Sequence, residues 1–136
     1  MIMTIPTTKK REVIDLTDIL AEQVRGKSGH MYLFVQHTTA AVTTADLDPG
    51  TDQDLLDALR GMLPNVQWRH PHDPAHTPDH LLASIIGPGL TVTVTEGSLQ
   101  LGEWQRIVLL EFNGPQQRAV DISFIGSPPP QQPFAL

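Results

Sequence analysis

Apolar and polar positions along the chain fall into two periods. Leu90-Thr91-Val92-Thr93-Val94-Thr95 alternates with period two, so its threonines and its Leu/Val residues occupy opposite faces of a strand. Glu96-Gly97 reads as a hairpin turn and Ser98–Leu101 as the start of the return. Upstream, the β-branched stretch Glu12–Leu16 predicts a strand. Thr17 then reads as the N-cap of a helix running from Asp18 to about Arg25, with Ile19, Leu20 and Val24 inside. Gly26 and Gly29 bracket a turn. His30–Val35 is a nearly continuous apolar run, the pattern of a strand covered on both faces. It ends at Gln36-His37, and Thr38–Thr44 predicts either a second strand after a bend or a continuation with a bulge, leaving His37 at a strand end.

Helical spacing appears between residues 46 and 62. Leu55, Leu56, Leu59 and Met62 repeat on one face, and Asp46, Asp48, Asp52, Asp54 and Asp57 occupy the polar side and the N-terminus, with Pro49 suited to a first turn. These aspartates read as a solvated helix face in preference to a magnesium–diphosphate site. Residues 61–65 close the helix. Pro78 predicts a second, short helix over 79–84. The apolar run 107–110, closed by Glu111-Phe112, precedes a turn at Asn113-Gly114-Pro115 and a last strand from about Arg118 to Ile125. The Pro-rich tail 127–136 reads as extended. No internal repeat is visible.

At 136 residues and 40% apolar content the chain has room for one domain around one core. A net charge of -6, with no basic stripe and no RNA-binding aromatic motif, argues against nucleic acid as a partner. No signal-peptide pattern and no membrane-length apolar run is present, which predicts a cytoplasmic protein without a membrane partner. With no cysteine, metal ligands are restricted to His, Asp and Glu.

Against that background residues 68–80, Trp-Arg-His-Pro-His-Asp-Pro-Ala-His-Thr-Pro-Asp-His, stand apart. They hold four of the six histidines. Imidazole is a common ligand for zinc-like metals and has an ordinary pKa near neutrality, so the cluster suggests a metal or proton-transfer site, with a solvated polar loop as the plain alternative. Glu111, closing an apolar strand, is either solvated or aimed at a site. Trp104, flanked by strand residues, reads as a packing residue rather than a stacking platform. His30 reads as a surface residue at a strand start.

His37-Thr38-Thr39-Ala40-Ala41, Trp68-Arg69-His70, Asp79-His80, Gly87-Pro88 before Leu90-Thr91-Val92, Gly102-x-Trp104-Gln105 and Glu111-Phe112-Asn113-Gly114-Pro115, in this order, resemble the YjbQ family over about residues 10–126. The resemblance implies a single compact α+β domain, mostly antiparallel sheet with two or three helices packed against it, assembled as a homotrimer. It also implies a weak thiamine phosphate synthase activity, joining a pyrimidine diphosphate to a thiazole phosphate. His37, His70 and His80 match the family's recurrent histidines and are the metal-ligand candidates. Gln105 and Glu111, with Trp104, match other recurrent positions and are the candidate catalytic residues; His72, His76 and Asp79 fit the loop. Departures are Glu103, where the family commonly has Thr, and Thr43–Asp46, where it often has Asn-Glu-Asn.

Three neutral imidazoles around a divalent metal such as zinc would leave charge and an open position for an oxyanion or water. The expected ligand is a small phosphorylated or diphosphate molecule, with Gln105 or Thr38 donating hydrogen bonds to it and Glu111 as catalytic or tautomer-fixing group. A non-catalytic metal- or anion-binding trimer, and a metal-dependent phosphate hydrolase, use the same residues.

Overall fold

The computed structural model describes residues 1–126; the tail reading for 127–136 lies outside the described residues. Among the described residues, eight strands and three α-helices follow in the order β1 (Ile2–Pro6), β2 (Glu12–Asp15), α1 (Thr17–Gln23), β3 (Gly29–Val35), β4 (Ala40–Ala45), α2 (Thr51–Gly61), α3 (Thr77–Ile86), β5 (Gly89–Thr95), β6 (Ser98–Leu99), β7 (Arg106–Glu111) and β8 (Gln117–Gly126), with one 3₁₀ turn at Pro74–His76. All pairings are antiparallel, in a five-stranded sheet β1-β8-β3-β5-β6 and a three-stranded sheet β2-β7-β4.

The smaller sheet is the middle layer. One face, through Ile107 and Leu109 of β7 and Ala40 and Val42 of β4, meets Met31, Leu33 and Val35 of β3, Val92 and Val94 of β5, and α1. Its other face, through Val108, Leu110 and Ala41, packs on Leu56 and Leu59 of α2 and Leu82 and Ala83 of α3. Hence residues 107–110 are all fully buried. A strand covered on both sides has no polar face to alternate with.

His30–Val35 does not share that situation. Met31, Leu33 and Val35 are buried, but Tyr32 and Phe34 are exposed on the outer face of the larger sheet, so the both-faces reading of this run is corrected for the single chain. Nor does Thr17 cap its helix. Leu16 is the N-cap residue, without a side-chain hydrogen bond, and the Thr17 hydroxyl instead accepts from the Ile107 N–H of β7 at 2.8 Å. Leu20 and Val24 are buried as expected, whereas Ile19 is exposed. α3 begins two residues before the predicted start and runs to Ile86.

Sequence reasoning missed β1. Its five residues pair with β8 from Ile2 opposite Asp121 to Pro6 opposite Gln117, placing Ile5 in the core. No helix among the described residues is long and apolar enough to cross a membrane.

Candidate functional site

Three chain segments meet where β7 ends and β8 begins. Phe112 donates its N–H to the Thr39 carbonyl, and Gly114 donates to the Lys10 carbonyl, which brings the β3–β4 and β1–β2 connections onto the β7–β8 turn. Gly114 is required there because an added Cβ would strike the Lys9 carbonyl.

Inside this junction Glu111 and Arg118 form a fully buried ion pair. Arg118 Nε donates to both carboxylate oxygens at 2.9 and 3.0 Å, and its Nη2 donates to Thr39 Oγ1 at 2.8 Å. Thr7 Oγ1 donates to Glu111 Oε1 at 2.6 Å, and the Asn113 N–H approaches Oε2 at 3.3 Å. Glu111 is thus neither solvated nor aimed at a ligand. Both oxygens are taken by protein donors, as a buried charge requires.

His37 sits on the rim of this pair. β3 pairs with β8 as far as Val35 opposite Val120, and Gln36 still donates to the Ala119 carbonyl. The returning Ala119 N–H has run out of β3 carbonyls. It donates instead to His37 Nε2 at 2.7 Å. Burial lowers the His37 pKa below its ordinary value, the Arg118 charge lowers it further, and Glu111 only partly opposes them.

The polar chain continues outward. Lys10 Nζ donates to the Asn113 side-chain oxygen and, at 3.2 Å, to Asp79 Oδ2. Asp79, buried in the first turn of α3, also receives Arg60 Nη1 at 3.3 Å. His80 follows it on the helix. Its ring stacks on His70, with centroids 4.9 Å apart and planes 18° from parallel, and His72 meets His70 edge-on at 6.0 Å. His76 Nε2 lies 3.3 Å from Asp73 Oδ2, and Asp73 caps the 3₁₀ turn through Ala75 N–H.

His70 and His80 are therefore brought together, and His37 stands apart from them. Among the described residues no three His, Asp or Glu side chains group as metal ligands. A metal is bound in the plane of each ligating imidazole at about 2.0–2.1 Å. Nearly parallel stacked rings hold their lone pairs in separate, nearly parallel planes that do not meet at one point, and His37 Nε2 is already an acceptor. As arranged in one subunit, the three histidines do not fit a divalent metal.

Gln105 lies elsewhere. It is six positions from Glu111 on the same extended run, about 20 Å at roughly 3.3 Å per residue. Its Oε1 accepts from Gly102 N–H at 2.8 Å and its Nε2 donates to Thr44 Oγ1 at 3.0 Å, so the amide holds a turn. On that turn Trp104 is 70% exposed, with a left-handed φ of 64°, which corrects the packing reading. Both departures from the family pattern, Glu103 and residues 44–46, line one depression of about 340 Å³ beside it. A larger cavity of about 620 Å³ lies between the end of α2 and the 63–78 segment, with Arg60, Trp68 and Pro78 in its wall and none of the histidines.

Sequence reasoning missed Arg118, Lys10 and Arg60. One signal was present: Lys9-Lys10-Arg11 gathers three of the nine basic residues of an acidic chain into one loop.

Two packed antiparallel sheets with two helices across the smaller one, and a histidine-edged junction at one end, define a single-domain α+β protein. The chain belongs to the YjbQ-like UPF0047 family, whose model matches residues 1–127. A UPF0047 protein of Mycobacterium bovis is 38% identical over 122 residues, covering 87% of this chain and 95% of the relative. One from Archaeoglobus fulgidus is 34% identical over 121 residues, covering 88% and 96%. Among solved structures, the conserved hypothetical protein TT1486 from Thermus thermophilus superposes with a TM-score of 0.83 at 31% identity, covering 92% of this chain and 99% of that one.

Proposed function

We propose that this protein binds a small phosphorylated ligand at the junction edged by His37 and Lys10. One observation carries the reading: the basic 9–11 loop is docked on the β7–β8 turn, with Lys10 Nζ between Asn113 and Asp79. An overall charge of -6 repels anions, so an anionic ligand needs local cations, and this junction concentrates them. The reading needs no metal.

Calorimetric titration with inorganic phosphate and with pyrophosphate tests it. Saturable binding that weakens about tenfold or more in Lys10→Ala, with the fold intact, is expected, since a hydrogen bond to a charged group contributes about 1.5–3 kcal/mol. No binding of either anion at millimolar concentration overturns the reading. The weak thiamine phosphate synthase activity that the family resemblance implies is its catalytic form. Incubation with the pyrimidine diphosphate and thiazole phosphate separates the cases: condensation marks the transferase, phosphate release alone the hydrolase, and binding without turnover the non-catalytic form.

The outer face of the larger sheet supports self-association, and a homotrimer is the assembly proposed. Ile2, Tyr32, Phe34 and Ile125 are exposed there, on adjacent strands, with Phe34 opposite Asp121 and Tyr32 opposite Ser123. An apolar sheet face of this kind marks an interaction surface. Sedimentation equilibrium should give three subunits for the parent and fewer for Phe34→Glu; a monomeric parent sinks the assembly reading.

A further inference from the structure

We infer that His37 serves as a neutral hydrogen-bond donor, offering Nδ1–H to an oxyanion of the ligand, and that Nε2 is permanently occupied by the sheet. This rests on the anion-binding reading and assigns one contact within it. A backbone N–H is always a donor, so the 2.7 Å contact from Ala119 makes Nε2 an acceptor and places the single proton of the neutral ring on Nδ1. Nδ1 makes no hydrogen bond within the described residues. It is not a buried orphan either: among them, the buried side-chain polar atom without a partner is Thr77 Oγ1, so Nδ1 of the half-buried His37 reaches solvent. One end of the ring closes the β3–β8 ladder and the other presents a fixed N–H at the surface.

A protonated ring would lose the Nε2 acceptor and leave the Ala119 N–H unpaired. A metal on Nδ1 would have to displace its proton. Donation to an oxyanion requires neither change.

Two substitutions divide the ring's two roles. The Asn amide reaches about as far as Nδ1, and the Gln amide about as far as Nε2. His37→Gln should keep the Ala119 contact through its carbonyl and the fold, yet weaken inorganic phosphate binding about tenfold or more. His37→Asn should retain phosphate binding within about threefold while losing stability, because Ala119 N–H is unpaired. Nitrogen-15 NMR of the parent should show protonated Nδ1 and unprotonated Nε2 at neutral pH, with only Nδ1 responding to phosphate. Phosphate binding by His37→Gln equal to the parent's, or an Nε2–H tautomer, overturns this inference alone. Absence of phosphate binding by the parent overturns the anion-binding reading as well.

Discussion

Glu111 on β7 and Arg118 on β8 are seven residues apart and clasp each other across the turn, with neither side chain reaching solvent. Removing one member of a buried pair strands the other charge, at a cost of about 3–5 kcal/mol. Glu111→Gln and Arg118→Met should each lower unfolding free energy by that order, measured by urea denaturation. Glu111→Leu combined with Arg118→Met should recover much of the loss, because no unpaired charge remains. Full stability in Glu111→Gln together with abolished activity would restore the catalytic reading of Glu111.

Asp79 makes a weaker but related argument. Its carboxylate is buried and receives both Lys10 and Arg60, whereas Lys10 is half exposed. Asp79→Ala should cost about 2 kcal/mol, the value of hydrogen bonds to a buried charge. Lys10→Ala should cost less than about 1 kcal/mol, as exposed ion pairs do. If Lys10→Ala proved the more damaging to stability, the lysine would be a structural bolt and not a cation held ready for a ligand.

His37 predicts a pH dependence. Its folded pKa lies below the ordinary 6.5, through burial first and Arg118 second, against the opposing pull of Glu111. In the window between the folded value and 6.5 the unfolded chain therefore binds more protons than the native one. Stability is unaffected above that window and falls as pH drops through it. Urea midpoints of the parent minus those of His37→Gln should be flat at higher pH and decline on acidification below it. A difference that grows on acidification would mean that the charged ring is the favoured form.

Chelation separates the anion reading from the metal one. Stacked His70 and His80, and a His37 whose Nε2 is already engaged, give no convergent donor set within one subunit. Dialysis against EDTA should leave phosphate affinity and melting temperature unchanged. Loss of binding that zinc restores would mean that the histidines reorient around a metal, and His37→Gln would then be expected to lose the metal with the phosphate.

Much of this architecture is legible in the chain. The Thr/Val alternation of 90–95, the hairpin at Glu96-Gly97 and the acidic opening of α2 each follow from a local rule, and the structure keeps all three. What local rules could not give is partnership between distant segments. His30–Val35 and Ile107–Leu110 are equally apolar, yet one lies in an outer sheet and the other in the middle layer. Arg118 looks like any strand-start cation until Glu111 is placed beside it. The histidine loop was conspicuous by composition, but spacing along a chain does not say whether rings converge on a point or stack. Glu111 and Gln105, close in sequence, are separated by the length of an extended strand.

Trp104 gives the last prediction. A buried tryptophan replaced by alanine typically costs about 3–5 kcal/mol. Here the indole is mostly in solvent, and its residue holds a left-handed backbone conformation that glycine adopts more readily. The turn is fixed by Gln105, through Gly102 N–H and the Thr44 hydroxyl, and not by the indole. Trp104→Gly should therefore be neutral to stability or raise it by up to about 1 kcal/mol. Gln105→Ala, which releases the turn, should lower stability by about 1 kcal/mol. Thermal melts of both variants as dilute single subunits decide it. A large loss in Trp104→Gly under those conditions would show the indole packing within the subunit after all, while a loss confined to the assembled protein would place Trp104 at a contact between copies.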